Sequence, residues 1–345
     1  IANSIHSGVA VIYAAAGTYA GNIYISGGIT VSAFFSGNAT INGAILVERG
    51  SHLSFLSNNG NPTITVNATA TDLSYAAALL VNAGSSFYSA IDIYISGGTS
   101  NYQYAAVVAV SSGGSIYTSK NITISGNSNY GIYLREGCIL RCESNIELDN
   151  SITVGYAIRI IDASILMVYG NVTYNGTITT CALYIERSSA LQCDGTFSAK
   201  TTNSSSYYVV AIRHASAAII SSFILNYNKN TTSSIGISVE SNAVAVLGTL
   251  EVSSVKNTSH FVQAIYGGVI LVTASYKLSG TSNYACTYAL DGGYFYLDSS
   301  ATVTNSATGQ RYLADCNSII NVNGAGANRL PGSSNGNATN SSYYK

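Results

Sequence analysis

From residue 74 onward the chain repeats itself. "SYAAALLVNAGSSFYSAIDIYISGGTSN" (74–101) is followed by "YQYAAVVAVSSGGSIYTSKNITISGNSN" (102–129) and then by "YGIYLREGCILRCESNIELDNSITV" (130–154). Further units begin near Gly155, Cys181, Tyr207, Ile235, Phe261, Tyr284 and Arg311, at intervals of 23–28 residues. A fixed period in this range marks one supersecondary unit stacked many times. Each unit holds three short alternating segments, such as "AVVAV", "SIYTS" and "NITIS", followed by Ser, Asn, Gly or Thr. Alternation at period two makes each segment a strand with one buried face. Three such strands cannot enclose a core alone. Stacked on the next unit, each strand gains a parallel neighbour on either side and the apolar faces merge.

The expected fold class is therefore all-β, a parallel β-helix (β-solenoid) with about 26 residues per coil. "NIYISGGITVSAFF" and "NATINGAILVERGSHLSFLS" read as further coils and bring the number to roughly twelve. At about 4.8 Å per coil that predicts a rod on the order of 55–60 Å long. Asn and Gly suit the corners because both tolerate left-handed backbone, and stacked Asn side chains can hydrogen-bond along a column. The expected division is a cap and first strand over 1–21 that continues an upstream region, the β-helix over 22–310, and a final coil with its turn and tail over 311–345.

Composition agrees with this reading. The chain has 27 Tyr, 33 Gly, 2 Pro and no Trp, and its charged residues are 14 basic and 15 acidic. A formal net charge of -1 gives no basic face for nucleic acid. The apolar runs are far shorter than the roughly 18 residues of a membrane span. Six cysteines (Cys138, Cys142, Cys181, Cys193, Cys286 and Cys316) form no CxxC pair and read as small core residues. Nothing in the sequence calls for a metal or a cofactor.

Charge concentrates in "GIYLREGCILRCESNIELD" (131–149), which carries Arg135, Glu136, Arg141, Glu143, Glu147 and Asp149. Alternation places Ile132, Leu134, Leu140, Cys142, Ile146 and Leu148 inside. Five of the six charges then fall on outward strand positions and Glu136 on a corner. In the same register the ends of successive strands form a column of Arg135, Ile161, Glu186, Arg213, Glu240, Tyr266 and Asp291. Glu186, Arg213 and Glu240 alternate in sign there, which favours correct register between coils or between subunits, although an exposed pair contributes only about 0–1 kcal/mol.

"VIYAAAGTYAGNIYISGGITV" (11–31) resembles the opening coil of the pectin-lyase-like right-handed β-helix superfamily, in particular the β-helical domains of bacteriophage tail fibres and tailspikes. The end, "ATGQRYLADCNSIINVNGAGANRLPGSSNGNATNSSYYK" (307–345), resembles the closing segment of such proteins. The resemblance implies a right-handed, single-stranded β-helix in a homotrimeric virion appendage. It would join upstream phage tail proteins and bind a host cell-surface glycan or surface protein. The alternative is a cellular surface adhesin or extracellular filament subunit of the same fold. A further alternative is a tailspike that depolymerises glycans.

Glycoside hydrolysis ordinarily uses two carboxyl groups about 5–9.5 Å apart. Glu147 and Asp149 would be about 7 Å apart on one strand, and Glu186 and Glu240, two coils apart, about 10 Å. These four are the catalytic candidates. A lyase would instead gather acidic calcium ligands, whereas the acids here are strung along the chain, and binding without cleavage is the expectation. Tyr133, Tyr184, Tyr266, Tyr294 and Tyr296 fall on outward or corner positions, where an aromatic with a hydroxyl suits a sugar or a subunit interface. Ten N-x-Ser/Thr triplets, Asn38, Asn121, Asn171 and Asn257 among them, would be glycan acceptors in a secreted protein. If the periodicity is read correctly, circular dichroism will show β structure with almost no helix. A helical content above about a quarter would sink the reading.

Overall fold

The computed structural model describes residues 8–68, 77–97, 105–149, 153–204, 207–229, 234–254, 258–326 and 328–345. Asn257 and the first seven residues of the expected cap lie outside these ranges. The chain is an all-β parallel β-solenoid of about 11 turns with about 26 residues per turn, and no helix occurs among the described residues. It divides into two compact units, Ile1–Thr173 and Tyr174–Lys345.

In the first unit, one turn consists of Ser86–Ser89, Asp92–Gly97 and Ala106–Val110. These strands pair in parallel with Ser115–Thr118 and with both halves of the long strand Ile122–Leu134. In the second unit the first two strands of a turn fuse, as in Ala217–Lys229 and Val244–Ser254. Their bend is made by bulges, between Cys193 and Thr196 in one pair of turns and between Leu247 and Thr249 in another. A bulge turns a strand without ending it, so the corner that the repeat predicts there is a kink instead.

The sharp corner comes before the first strand of each turn. It is built from two consecutive residues with left-handed backbone. In the first unit these are Arg49-Gly50, Ala83-Gly84, Ser112-Gly113, Glu136-Gly137 and Asp162-Ala163, and in the second Arg187-Ser188, His214-Ala215, Ser241-Asn242, Tyr266-Gly267, Asp291-Gly292 and Cys316-Asn317, of which Ser112-Gly113, for example, has φ of 50° and 72°. Each corner is tied to the next by its main chain. Gly84 N donates to Ser112 O, Gly113 N to Glu136 O, Ala215 N to Ser241 O and Gly267 N to Asp291 O, all at 2.9–3.1 Å.

The residue after the corner turns straight into the core and must be small. Ser85, Ser164, Ser189, Ser216 and Ser318 hold this place at no more than 2% exposure. At Gly268 and Gly293 a Cβ would collide with the carbonyl oxygens of Val239 and Ala264.

Inside, like stacks on like. Leu134 lies between Val110 and Ile160 in the first unit, and Ile212 between Ile185 and Val239 in the second. Leu134, Leu148, Ile160, Ile185, Ile212 and Val239 are all buried, as the alternation predicts. Phe35, Phe55 and Phe87 stack edge to face at 5.1 and 5.2 Å between centroids, and Phe197 stacks on Phe223 at 5.1 Å. Asparagines also form a ladder: Asn121 N–H donates to Asp92, Asn145 N–H to Asn121 Oδ1, and Asn171 N–H to Asn145 Oδ1. No disulfide joins the six cysteines, and all but the half-buried Cys316 are buried.

One strand class departs from the expected alternation. The strands leading into the corner, Ala106–Val110, Ile235–Glu240 and His260–Ile265, are buried at every position. Among their outward places are Ala109, beside Tyr133 of the next turn, and Ser238, which accepts a hydrogen bond from Gln263.

At the C-terminal end, Arg329 donates to the carbonyls of Ser299 and Ala301, while Leu330 is buried. Tyr344 stacks on Tyr312 at 4.1 Å and donates to Gly326 O. This segment closes the last turn of the second unit.

The register can be tested at Ile212, which is 2% exposed. Ile212→Asp places an unpaired charge between apolar layers and should abolish soluble expression. Thr304→Asp, on an exposed outward position, should express normally and melt within about 0.5 kcal/mol of the parent. A well-folded Ile212→Asp protein would mean that the strand is slipped by one residue.

Candidate functional site

The outward side chains of the strands entering the corner form a layer of tyrosine and arginine. In the first unit Tyr130 stacks on Tyr133 and Tyr156 at 4.6 and 5.4 Å, with the Arg159 guanidinium 5.1–5.6 Å from all three rings. Tyr133 therefore points outward as predicted, but at 4% exposure it is covered by its neighbours. A buried ring offers no face to a ligand, and Tyr133 is a packing residue.

In the second unit Arg213 lies over Tyr208 at 4.5 Å and reaches Tyr184 at 5.9 Å. It pairs with Glu240, while Glu186 takes His214 at 3.1 Å and Arg187 at 4.0 Å. The alternating Glu186, Arg213, Glu240 column thus exists, but Glu186 and Glu240 are only 9% and 8% exposed and meet partners within the chain. The column departs from the expected register beyond Glu240. Glu240 pairs with Ile265 and Ile265 with Leu290. Tyr266 and Asp291 sit one step further on, in the left-handed corner itself. The step of 26 from Glu240 to Tyr266 missed this, because the turn advances there by 25, from Glu240 to Ile265.

The charge-rich stretch 131–149 is the wet side of one turn of the first unit, as its alternation implies. Arg135 approaches Glu136 at 3.6 Å and Arg141 approaches Glu143 at 2.6 Å. Arg141 is sandwiched between Tyr117 and Tyr169, and Tyr88 stacks on Tyr117 at 5.4 Å. Glu147 is exposed opposite Thr123 of the preceding turn, and Asp149 is half-buried two residues further on. Glu147 and Asp149 share an open face, whereas Glu186 and Glu240 are engaged by cations.

Among the described residues of the second unit, a cleft of about 380 Å³ lies beside the Arg213 layer. That volume is within the range of small-ligand sites. Three exposed tyrosines stand around it: Tyr207 at 51%, Tyr266 at 53% and Tyr284 at 54%. Its deeper wall is a set of packed rings. His260 stacks on Tyr288 at 4.4 Å and meets Tyr284 edge-on at 5.2 Å, and Tyr207 meets Tyr208 edge-on at 4.8 Å. Gln263, 3% exposed, is anchored by donating its Nε2 proton to Ser238 Oγ at 2.8 Å.

His260 Nδ1 is 3.0 Å from Ala285 O. A carbonyl only accepts, so Nδ1 carries the proton of the neutral ring and Nε2 carries the lone pair. Burial pushes the Tyr288 hydroxyl up to about 12, with Tyr284, Asp315 and Asp291 adding to the rise.

Of the tyrosines singled out from sequence, Tyr266 lines this cleft and Tyr184 flanks its Arg213 border. Tyr294 and Tyr296 lie elsewhere, on the strand Tyr294–Leu297, bonded to Asn321 and Asp298. Tyr207, Tyr208, Tyr284, Tyr288, His260 and Gln263 were missed. A signal for two of them was present, because pairing the turns in register puts Ser238, Gln263 and Tyr288 in one column. Among the N-x-Ser/Thr asparagines, Asn38 and Asn121 already use their side-chain oxygens as acceptors, Asn38 for Thr63 N–H and Asn121 for Asn145.

Burial lowers the pKa of His260 from 6.5 to about 4. The unfolded chain takes up a proton near pH 6.5 that the folded chain refuses until about pH 4. Stability present above pH 6.5 is therefore lost as the pH falls through that window, by about 3 kcal/mol for a shift of this size. His52, also lowered by burial, acts in the same direction. Urea titrations at pH 7 and pH 4.5 should show the loss, and His260→Gln should remove most of it. Equal acid sensitivity in parent and variant would exclude His260 as its source.

No family model matches the chain, and no characterised protein or solved structure shows significant similarity to it.

Proposed function

We propose that this chain is the host-recognition part of a phage tail fibre or tailspike, a trimer that binds a surface glycan without cutting it. The observation that carries the proposal is the tyrosine-walled cleft. Phenol rings present flat apolar faces to the C–H side of a pyranose, and the hydroxyls of the exposed Tyr207, Tyr266 and Tyr284 supply hydrogen-bonding partners to sugar hydroxyls. The carboxylates argue for binding alone. Glu186 and Glu240 are tied to cations, and Glu147 and Asp149 stand on an open face.

Trimer formation is supported by a different surface of the second unit, the outer face of the first strand of each turn. Ile219, Val246 and Leu271 follow one another in register there, with Ile219 55% exposed. An apolar stripe on so sparsely charged a chain favours burial against another copy, and three copies multiply weak glycan contacts through avidity. Because Glu186 and Glu240 already have intrachain partners, this stripe replaces their column as the preferred subunit contact.

Sedimentation should give a mass near three times 35.8 kDa. The double variant Ile219→Lys/Leu271→Lys should give a folded monomer that has lost most of its binding to host cells while retaining the weak affinity for a single soluble oligosaccharide. A parent protein that is monomeric at micromolar concentration yet binds cells tightly would rule out the trimer. Release of oligosaccharides from host polysaccharide would rule out binding without cleavage.

A further inference from the structure

Resting on the reading of the tyrosine-walled cleft as the glycan site, we propose that it selects sugars by charge. It rejects units bearing a carboxylate, and it holds a unit with a protonated amine more tightly than the N-acetylated form of the same unit.

Two independent features carry this. The first is the wall. Every described residue lining the cleft is Tyr, Ser, His, Gln, Ile or Leu, so none of them supplies a cation to pair with a carboxylate. Bringing an anion into such a site costs hydration that neutral hydroxyls replace only in part. The π faces of Tyr207, Tyr266 and Tyr284 have the opposite preference, since an aromatic face attracts a cation. His260 does not counter this, because near pH 6 its ring is neutral, with Nε2 a hydrogen-bond acceptor.

The second feature is the rim. Asp291 follows the cleft residue Leu290 and occupies the exposed corner next to that of Tyr266, with Gly267 N donating to Asp291 O at 3.1 Å. Asp315 lies near enough, together with Asp291, to oppose ionisation of Tyr288. On the other side Arg213 flanks the cleft, already paired with Glu240 and covered by Tyr208. The carboxylates of Asp291 and Asp315 border the cleft on the Tyr288 side.

The test is calorimetric titration of the trimer at pH 6 with three tetrasaccharide probes: β-1,4-glucosamine, its fully N-acetylated form, and α-1,4-galacturonate. The amine form should bind about two- to fivefold more tightly than the N-acetyl form, and the galacturonate should not bind. Asp291→Asn keeps a residue that accepts left-handed backbone, and it should reduce the preference for the amine to the part that the tyrosine faces supply. Tyr284→Ala should weaken both by about tenfold. Galacturonate binding as tight as the amine form, or an amine form bound no more tightly than the N-acetyl form, overturns the charge selection while leaving glycan recognition intact. Failure of all three probes at millimolar concentration overturns the glycan reading itself.

Discussion

Everything in this chain depends on backbone hydrogen bonds that a turn cannot satisfy by itself. An extended strand directs its N–H and C=O groups sideways, and in a parallel solenoid their partners lie one turn away. The corner is where this matters most, because a chain reversing direction ordinarily surrenders its main-chain partners to water. Two left-handed residues in succession aim an N–H along the stacking direction, so that Gly113 meets Glu136 O and Gly267 meets Asp291 O. The ladder thus runs through the bend. Corner residues, ladder spacing and core register become one condition, and a change in any of them is felt by the neighbouring turn.

The alternation made the core legible because the physics behind it is strict: a strand moved by one residue exchanges its two faces. Leu134, Ile212 and Val239 could be assigned without coordinates for that reason. What failed was inference about the outside. Tyr133 and Tyr294 both occupy outward positions, yet one is covered and the other bonded to Asn321, since outward direction does not determine what lies on top. Tyr266 failed differently. One residue fewer per turn moved it from the strand end into the corner, and that is what brought it to the cleft. His260 was hidden because a single buried polar residue opening an apolar strand, as in "HFVQAI", carries no periodic signature, whereas Gln263 stands in a column with Ser238 and Tyr288 that only the correct register reveals.

The same layer explains how so neutral a chain handles its few cations. Arg141, Arg159 and Arg213 each lie against tyrosine rings. A planar guanidinium stacks on an aromatic face at a spacing close to that between turns, so it fills an outward position in a ladder without disturbing it. Lysine, a compact and strongly hydrated charge, would gain less from the same place.

The left-handed corner has a consequence for how such a surface can change. Its first residue is Ser112, Glu136 and Asp162 in successive turns of the first unit, and His214, Ser241, Tyr266 and Asp291 in the second. The backbone geometry is the same at each, while the residue that follows the pair is confined to Ser, Cys, Ala or Gly in these turns. Acid, base, aromatic and hydroxyl are thereby set side by side at one repeat distance by a frame indifferent to their identity. The corner works as a row of interchangeable sockets: a new recognition surface can be composed there one residue at a time, with the lattice beneath it unaltered.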